Sequence, residues 1–270
     1  VCIDKCHEKN NLQFYFLVVI EIFILSLVQG VTEFLPISSS SHLIIIANYL
    51  NFEKQNLLVD VSLHIGSFIA VVVYFKKDIF NFLKNKEFFF KILTSSIPVM
   101  LIGFLLVETN LIEKIRSIKV IAWTTLLFGI LLYLSDRFKL EKDINKNFNY
   151  KSAIFIGLFQ VISLIPGVSR SGITITAARF LNYKRVDAAK ISFLLSIPTL
   201  GAVSIFGLKN IIFEEDLNFS ILNLVLIFMS FIFSLITIKY FLKYIQKFSL
   251  NIFVGYRIFL GLILLIISYL

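Results

Sequence analysis

The sequence predicts an all-α integral membrane protein with six spanning helices and two re-entrant helix hairpins arranged as an inverted-topology repeat. Three observations carry that prediction. Of 270 residues, 58% are hydrophobic and only 16% charged, and the mean hydropathy of +0.88 is far above that of a water-soluble domain. Apolar runs recur at 88–107, 118–135, 191–208, 219–238 and 251–270. Finally, two short stretches separated by 131 residues place hydroxyl and ionisable groups inside otherwise apolar segments, where such groups are costly and mark function.

A spanning helix needs about 20 apolar residues, because the hydrocarbon core is roughly 30 Å thick. Segments 60–76, 88–107, 118–135, 190–208, 219–239 and 250–270 meet or approach that length. Other segments are too short. The one after Pro36 ends near Leu50, about 20 Å of helix at the α-helical rise. The one after Pro166-Gly167 is similar and contains Arg170 and Arg179. Each follows an apolar stretch (14–35 and 152–165) and is joined to it by proline and hydroxyl residues, so each pair reads as a hairpin that enters the membrane and returns. The expected organisation is a polar tail at 1–12 and a single membrane domain at 13–270, with repeats at 13–135 and 152–270. An odd number of crossings between the hairpins inverts the second half, a plan familiar from transporters.

The net charge of +9 comes from lysines and arginines gathered in connectors 76–91, 136–151, 179–190 and 239–247, which the positive-inside rule places in the cytoplasm. Charge so distributed excludes a nucleic-acid footprint. Both ends and the open end of the first hairpin then face outward, where the acidic run Glu214-Glu215-Asp216 also falls. Cys2 and Cys6 lie beside His7 in the polar tail at a spacing that matches no zinc pattern. No cleavable signal is read, since the first apolar run ends in Gln29-Gly-Val-Thr-Glu33 rather than a small-residue cleavage site.

Within the two polar stretches, Gln29, Thr32, Ser38 and Ser40 share an offset with Gln160, Ser163, Ser169 and Ser171. The returning half-helices should start near Ser38–Ser41 and Ser169–Ser171, presenting unpaired N–H groups and positive dipole ends that together suit a phosphate. Arg170 adds a forked cation. Glu33, one turn after Gln29, would repel that phosphate unless a cation lay between them, and both side chains offer hard oxygens suited to Mg²⁺ or Ca²⁺. His42 follows Ser39 by three residues. It could activate a serine, attack phosphorus itself, or protonate the leaving oxygen. Glu21 reads as interfacial, and Asp60 and His64 as structural.

These residues carry a resemblance. Gln29-x-x-x-Glu33-Phe-Leu-Pro36-Ile-Ser38-Ser39 with the following His42, and Pro166-Gly167-x-Ser169-Arg170-Ser171-Gly172-x-Thr174, look like the two signatures of the BacA-type undecaprenyl-diphosphate phosphatases. The regions Phe193-Leu-Leu-Ser196-Ile-Pro198 and Asp60-Val-Ser-Leu-His64-Ile-Gly66 are similar too, so the likeness covers the chain from about residue 13 onward. It implies a multi-pass enzyme of the bacterial inner membrane that removes the terminal phosphate of undecaprenyl diphosphate, is assisted by a divalent cation, and opens outward. Carried onto this chain, Ser39 is the favoured nucleophile, His42 its base or acid, Glu33 the metal-assisting acid, and Arg170 the group that grips the diphosphate. Ser38, Ser40, Ser169, Ser171, Thr174 and Gln29 become further substrate contacts, with Gln29 and Glu33 as metal ligands. The expected partners are a polyprenyl diphosphate lipid and the membrane, with no nucleic acid and with a homodimer left open. Two departures stand out. Gln29 replaces a frequent Glu, removing one negative charge. Ser41 replaces a frequent Gly and should tighten the tip, because Ser tolerates positive φ poorly.

A rival from another class is a transporter or flippase for a phosphorylated lipid or anion, since broken helices in inverted repeats suit alternating access. The Ser39/His42 pair discriminates, because transport needs no nucleophile.

Overall fold

The computed structural model describes residues 19–50, 57–84, 86–109, 116–212 and 217–270. The polar tail with Cys2 and Cys6, and the run Glu214-Glu215-Asp216, lie outside the described residues. Helices dominate: α1 (Val19–Thr32), α2 (Ser39–Leu50), α3 (Leu57–Tyr74), α4 (Lys76–Lys84), α5 (Lys86–Glu108) and α6 (Ile118–Asp136) come first. They are followed by α7 (Ile144–Asn147), α8 (Tyr150–Val161), a 3₁₀ turn (Ile162–Leu164), α9 (Arg170–Phe180), α10 (Arg185–Ile212), α11 (Leu217–Ile245) and α12 (Asn251–Tyr269). Among the described residues the only extended pairing is one isolated bridge, Lys142 with Tyr183.

Among the described residues, five helices are long and apolar enough to cross a membrane: α5, α6, α10, α11 and α12. The sixth expected span is α3, whose apolar part, Leu58–Tyr74, rises about 26 Å, somewhat short of the hydrocarbon thickness. Lys76 and Lys77 end it. The connectors are also more helical than the charge pattern suggested. Stretch 76–91 contains all of α4, α10 begins inside 179–190, and α11 runs on through most of 239–247. The lysines there line helix ends rather than loops, which costs a helix nothing because Lys is a good helix former.

The two hairpins appear as broken helices. α1 ends at Thr32 and α2 starts at Ser39; α8 and its 3₁₀ turn end at Leu164 and α9 starts at Arg170. The packing between halves is reciprocal. α3 lies against α11, as α10 does against α5. α8 packs on α5 so closely that Gly157 leaves no room for a Cβ, which would come within 2.8 Å of Ser95 Cα. Correspondingly, α1 meets α11 through an edge-to-face pair, Phe23 with Phe233 at 5.7 Å. α9 packs on α6, and α2 on α12 through Ile44 and Ile45 beside Leu264. The largest apolar core gathers round α9 and α10, with Ile175, Ala177, Ala178, Ile191, Phe193, Leu194 and Leu195 all buried.

At the opposite end of α9 from its tip, one carboxylate organises the connector. Asp136 receives a bidentate Arg185 (2.7 and 3.0 Å), faces Arg179 at 3.4 Å, and accepts the Leu250 amide at 3.2 Å. Arg179 is fully buried and donates to the carbonyls of Asp136, Phe138, Lys139 and Tyr183. This network ties together the places where α6, α9, α10 and α12 meet.

Candidate active site

The two tips meet. Ser39 and Arg170, the first residues of α2 and α9, reach the same carboxylate: Ser39 Oγ donates to Glu33 Oε2 at 2.7 Å, and Arg170 Nη2 donates to Oε1 at 2.9 Å. Gln29, one turn earlier on α1, donates its amide to Oε2 at 3.0 Å. The Glu33 carboxylate is nearly sealed, Ser39 half-buried and Arg170 mostly covered. An ion pair so enclosed is expensive to break, because either charge left alone is desolvated without compensation.

The residues that set these tips are strained in the same way. Ser38 and Ser169 precede α2 and α9 with φ of 74° and 71°, a region most side chains avoid at a cost of about 1–2 kcal/mol. The positive φ therefore falls on Ser38, not on Ser41, which is already helical, so the expected tightening at Ser41 does not arise. The turn at Ser169 lets its hydroxyl accept the Gly172 amide at 3.1 Å and cap α9. Ser38 Oγ lies 3.0 Å from Ser41 Oγ and 3.4 Å from Ser40 Oγ, as Ser169 Oγ lies 3.2 Å from Ser171 Oγ. The tips are tied directly by Ser171, whose hydroxyl donates to the Leu35 carbonyl at 2.7 Å. Thr174 is turned away from the tip, toward Ser192 Oγ at 2.7 Å and the Arg170 carbonyl at 2.8 Å.

Arg257 of α12 staples both tips. Fully buried, it donates to Pro36 O at 3.1 Å on one tip, to Gly167 O (2.9 Å) and Val168 O (3.1 Å) on the other, and to Thr125 O of α6 at 3.2 Å. Gly167 is required here: its φ is +93°, and an added Cβ would meet Thr124 and come within 2.8 Å of Ile121 O. Arg257 thus satisfies one backbone carbonyl of the first tip and two of the second at once.

His42 stands apart from Ser39. Its Nδ1 lies 2.6 Å from the Ser38 carbonyl and its Nε2 2.5 Å from the Tyr256 hydroxyl, with the two rings nearly parallel at 14°. The serine's proton points instead to Glu33. Sequence reasoning missed Tyr256, Arg257 and Ser192, and it read His64 as structural. Its Nδ1 lies 2.9 Å from Gln29 Nε2 and 3.8 Å from Glu33 Oε2, so it borders the same cluster. An arginine inside the apolar run 251–270 was the one signal that could have found Arg257.

With its amide nitrogen committed to Glu33 and His64, Gln29 is left with a buried Oε1 that has no hydrogen-bond partner. That orphaned oxygen, next to a carboxylate, is what a hard cation would use. Among the described residues no group of three or more His, Cys, Asp or Glu gathers as a metal cage. Gln29 Oε1 and the Glu33 carboxylate are hard oxygen donors of the kind that Mg²⁺ or Ca²⁺ takes.

A family model described as "Bacitracin resistance protein BacA" matches residues 22–263. The chain belongs to this family. It is 49% identical over 253 residues to a protein of Pelagibacter ubique named undecaprenyl-diphosphatase, covering 93% of this chain and 98% of that one. Proteins of the same name from Hahella chejuensis and Jannaschia sp. are 41% and 38% identical, with 93% and 92% of this chain and 98% of each relative covered. The matched region takes in both hairpin tips and α12 as far as residue 263.

Proposed function

We propose that this chain hydrolyses undecaprenyl diphosphate to undecaprenyl phosphate and inorganic phosphate, recycling the lipid carrier of cell-wall synthesis. The relatives' names supply the reaction. The observation that carries it is the shared carboxylate: a hydroxyl and a guanidinium from two helix beginnings converge on Glu33. Two positive dipole ends and a forked cation favour the diphosphate. Ser39 attacks the terminal phosphorus as its proton passes to Glu33 Oε2, 2.7 Å away. The bond to the bridging oxygen breaks, and the His42 side of the site protonates the departing lipid phosphate. Water then opens the phosphoserine, its proton passing to His42, while Glu33 returns its own to Ser39. Arg170 holds the transferred group with donors not used on Glu33, and Ser38, Ser40, Ser169 and Ser171 supply further hydrogen bonds.

Gln29 Oε1 and Glu33 would hold a divalent cation, Mg²⁺ or Ca²⁺, whose charge offsets that of the phosphate oxygens. Phosphate release from polyprenyl diphosphate by the purified chain tests both parts. We expect turnover that chelation abolishes and Mg²⁺ or Ca²⁺ restores. Turnover unchanged after exhaustive chelation would remove Gln29 and Glu33 as ligands; lipid movement across vesicles with no phosphate released would favour transport instead.

The membrane arrangement we infer is six spans and two re-entrant hairpins in inverted repeat, set in the bacterial inner membrane with the site opening outward. The reciprocal packing and the matching φ at Ser38 and Ser169 support it. With Cys2 and Cys6 replaced by Ser, Lys77→Cys should resist an impermeant external thiol reagent in intact cells. Ready labelling would reverse the orientation.

A further inference from the structure

The hydrogen bonds of His42 fix its tautomer. A carbonyl only accepts, so Nδ1, 2.6 Å from Ser38 O, carries a hydrogen. In the neutral ring Nε2 then has the lone pair, and Tyr256, 2.5 Å away, donates its phenolic hydrogen to it. If Nε2 gains a proton the direction reverses: the imidazolium donates, the phenol oxygen accepts, and the phenolic hydrogen is released to face outward. Tyr256 can turn it there, because the residue is 40% exposed while its ring is held parallel to His42 at 5.7 Å. Ser39 takes no part, since its hydrogen is directed to Glu33. The Nε2 of His42 thus faces a tyrosine hydroxyl rather than Ser39.

Resting on the diphosphatase reading, we propose that Tyr256 relays the proton between His42 and the leaving oxygen, and is itself a catalytic residue. As the bond from the terminal phosphorus to the bridging oxygen breaks, its electron pair stays on that oxygen, which takes the Tyr256 hydrogen. The phenol oxygen takes the Nε2 hydrogen, and His42 becomes neutral. In the second half-reaction the proton of the attacking water returns by the same route, so no external acid or base is consumed. The plainer role is packing: a tyrosine that fills the face of His42 and satisfies its nitrogen.

Replacing the leaving atom separates the two. In full-length Tyr256→Phe, which keeps the ring, kcat for polyprenyl diphosphate should fall about 10²-fold, the low end for general acids because the departing group is already a phosphate. KM should change less than about threefold. With sulfur as the bridging atom, whose departure needs no proton, release of the lipid product in the first turnover should be as fast in the variant as in the unaltered chain. In a His42→Ala background, Tyr256→Phe should cost nothing more, as expected of two residues acting as one unit. Equal losses on the oxygen and sulfur substrates, full activity on the oxygen substrate, or additive losses in the double variant would overturn the relay. An unaltered chain inactive on both substrates would overturn the diphosphatase reading instead.

Discussion

Ser39 and Arg170 occupy one register position in the two hairpins, each opening its returning helix behind a serine held at positive φ, yet one offers a hydroxyl and the other a guanidinium. The contrast extends to the entering helices. Gln29 is followed four residues on by Glu33, whereas Gln160 is followed by Leu164, and the buried Gln160 amide has no partner at either atom. The returning helices differ as well: Ser171 through Arg179 of α9 are buried throughout, while α2 is largely half-exposed. The two tips therefore share a backbone device, a helix beginning behind a serine at positive φ, but not their side chains. The peripheral tip holds acid, hydroxyl and imidazole; the enclosed tip holds the guanidinium. One carboxylate serves both, which makes the tips a single site rather than two copies.

That division can be broken most sharply at the paired positions. Ser39→Ala should lower kcat for phosphate release by about 10³-fold with KM little changed. Arg170→Lys, which keeps charge but loses the fork, should act chiefly on KM, by about tenfold. Identical kinetic signatures from the two variants would mean that the tips do not divide the work. Next in size, Arg257→Met strands carbonyls on both tips and should lower stability by about 3 kcal/mol, seen as an earlier thermal transition in detergent. An unshifted midpoint would show that the tips hold each other without α12. The smallest effect should come from Ser38→Gly and Ser169→Gly, each relieving positive φ for a gain of up to about 1 kcal/mol, partly offset at Ser169 by the lost cap. Opposite signs at the two positions would end the equivalence of the turns.

Local patterns in the sequence were enough to place most of the architecture. Apolar run length located α5, α6, α10, α11 and α12, and the serine stretches marked where α2 and α9 begin. What escaped was contact across long separations. His42 follows Ser39 so closely that a shared helix face suggested a pair, but Glu33 lies within reach of the Ser39 hydroxyl and Tyr256, 214 residues from His42, takes its other nitrogen. His64 looked like the polar start of a span because nothing local shows that α3 presents it to Gln29. The mild underestimate of helix in the charged connectors has a different cause, since lysines that signal topology are equally content in a helix.

The staple made by Arg257 bears on biogenesis. Apart from its neighbour Tyr256, the named side chains of the cleft precede α12 in the chain, so a polypeptide still emerging from the ribosome could place both hairpins, joined by Ser171 and the Glu33–Arg170 pair, without this last clamp. The clamp would then close late, when the last helix enters the bilayer and its guanidinium finds three tip carbonyls and that of Thr125 waiting. Until that moment the half-built protein would carry Glu33, Ser39 and Arg170 on tips that lack the hold of α12.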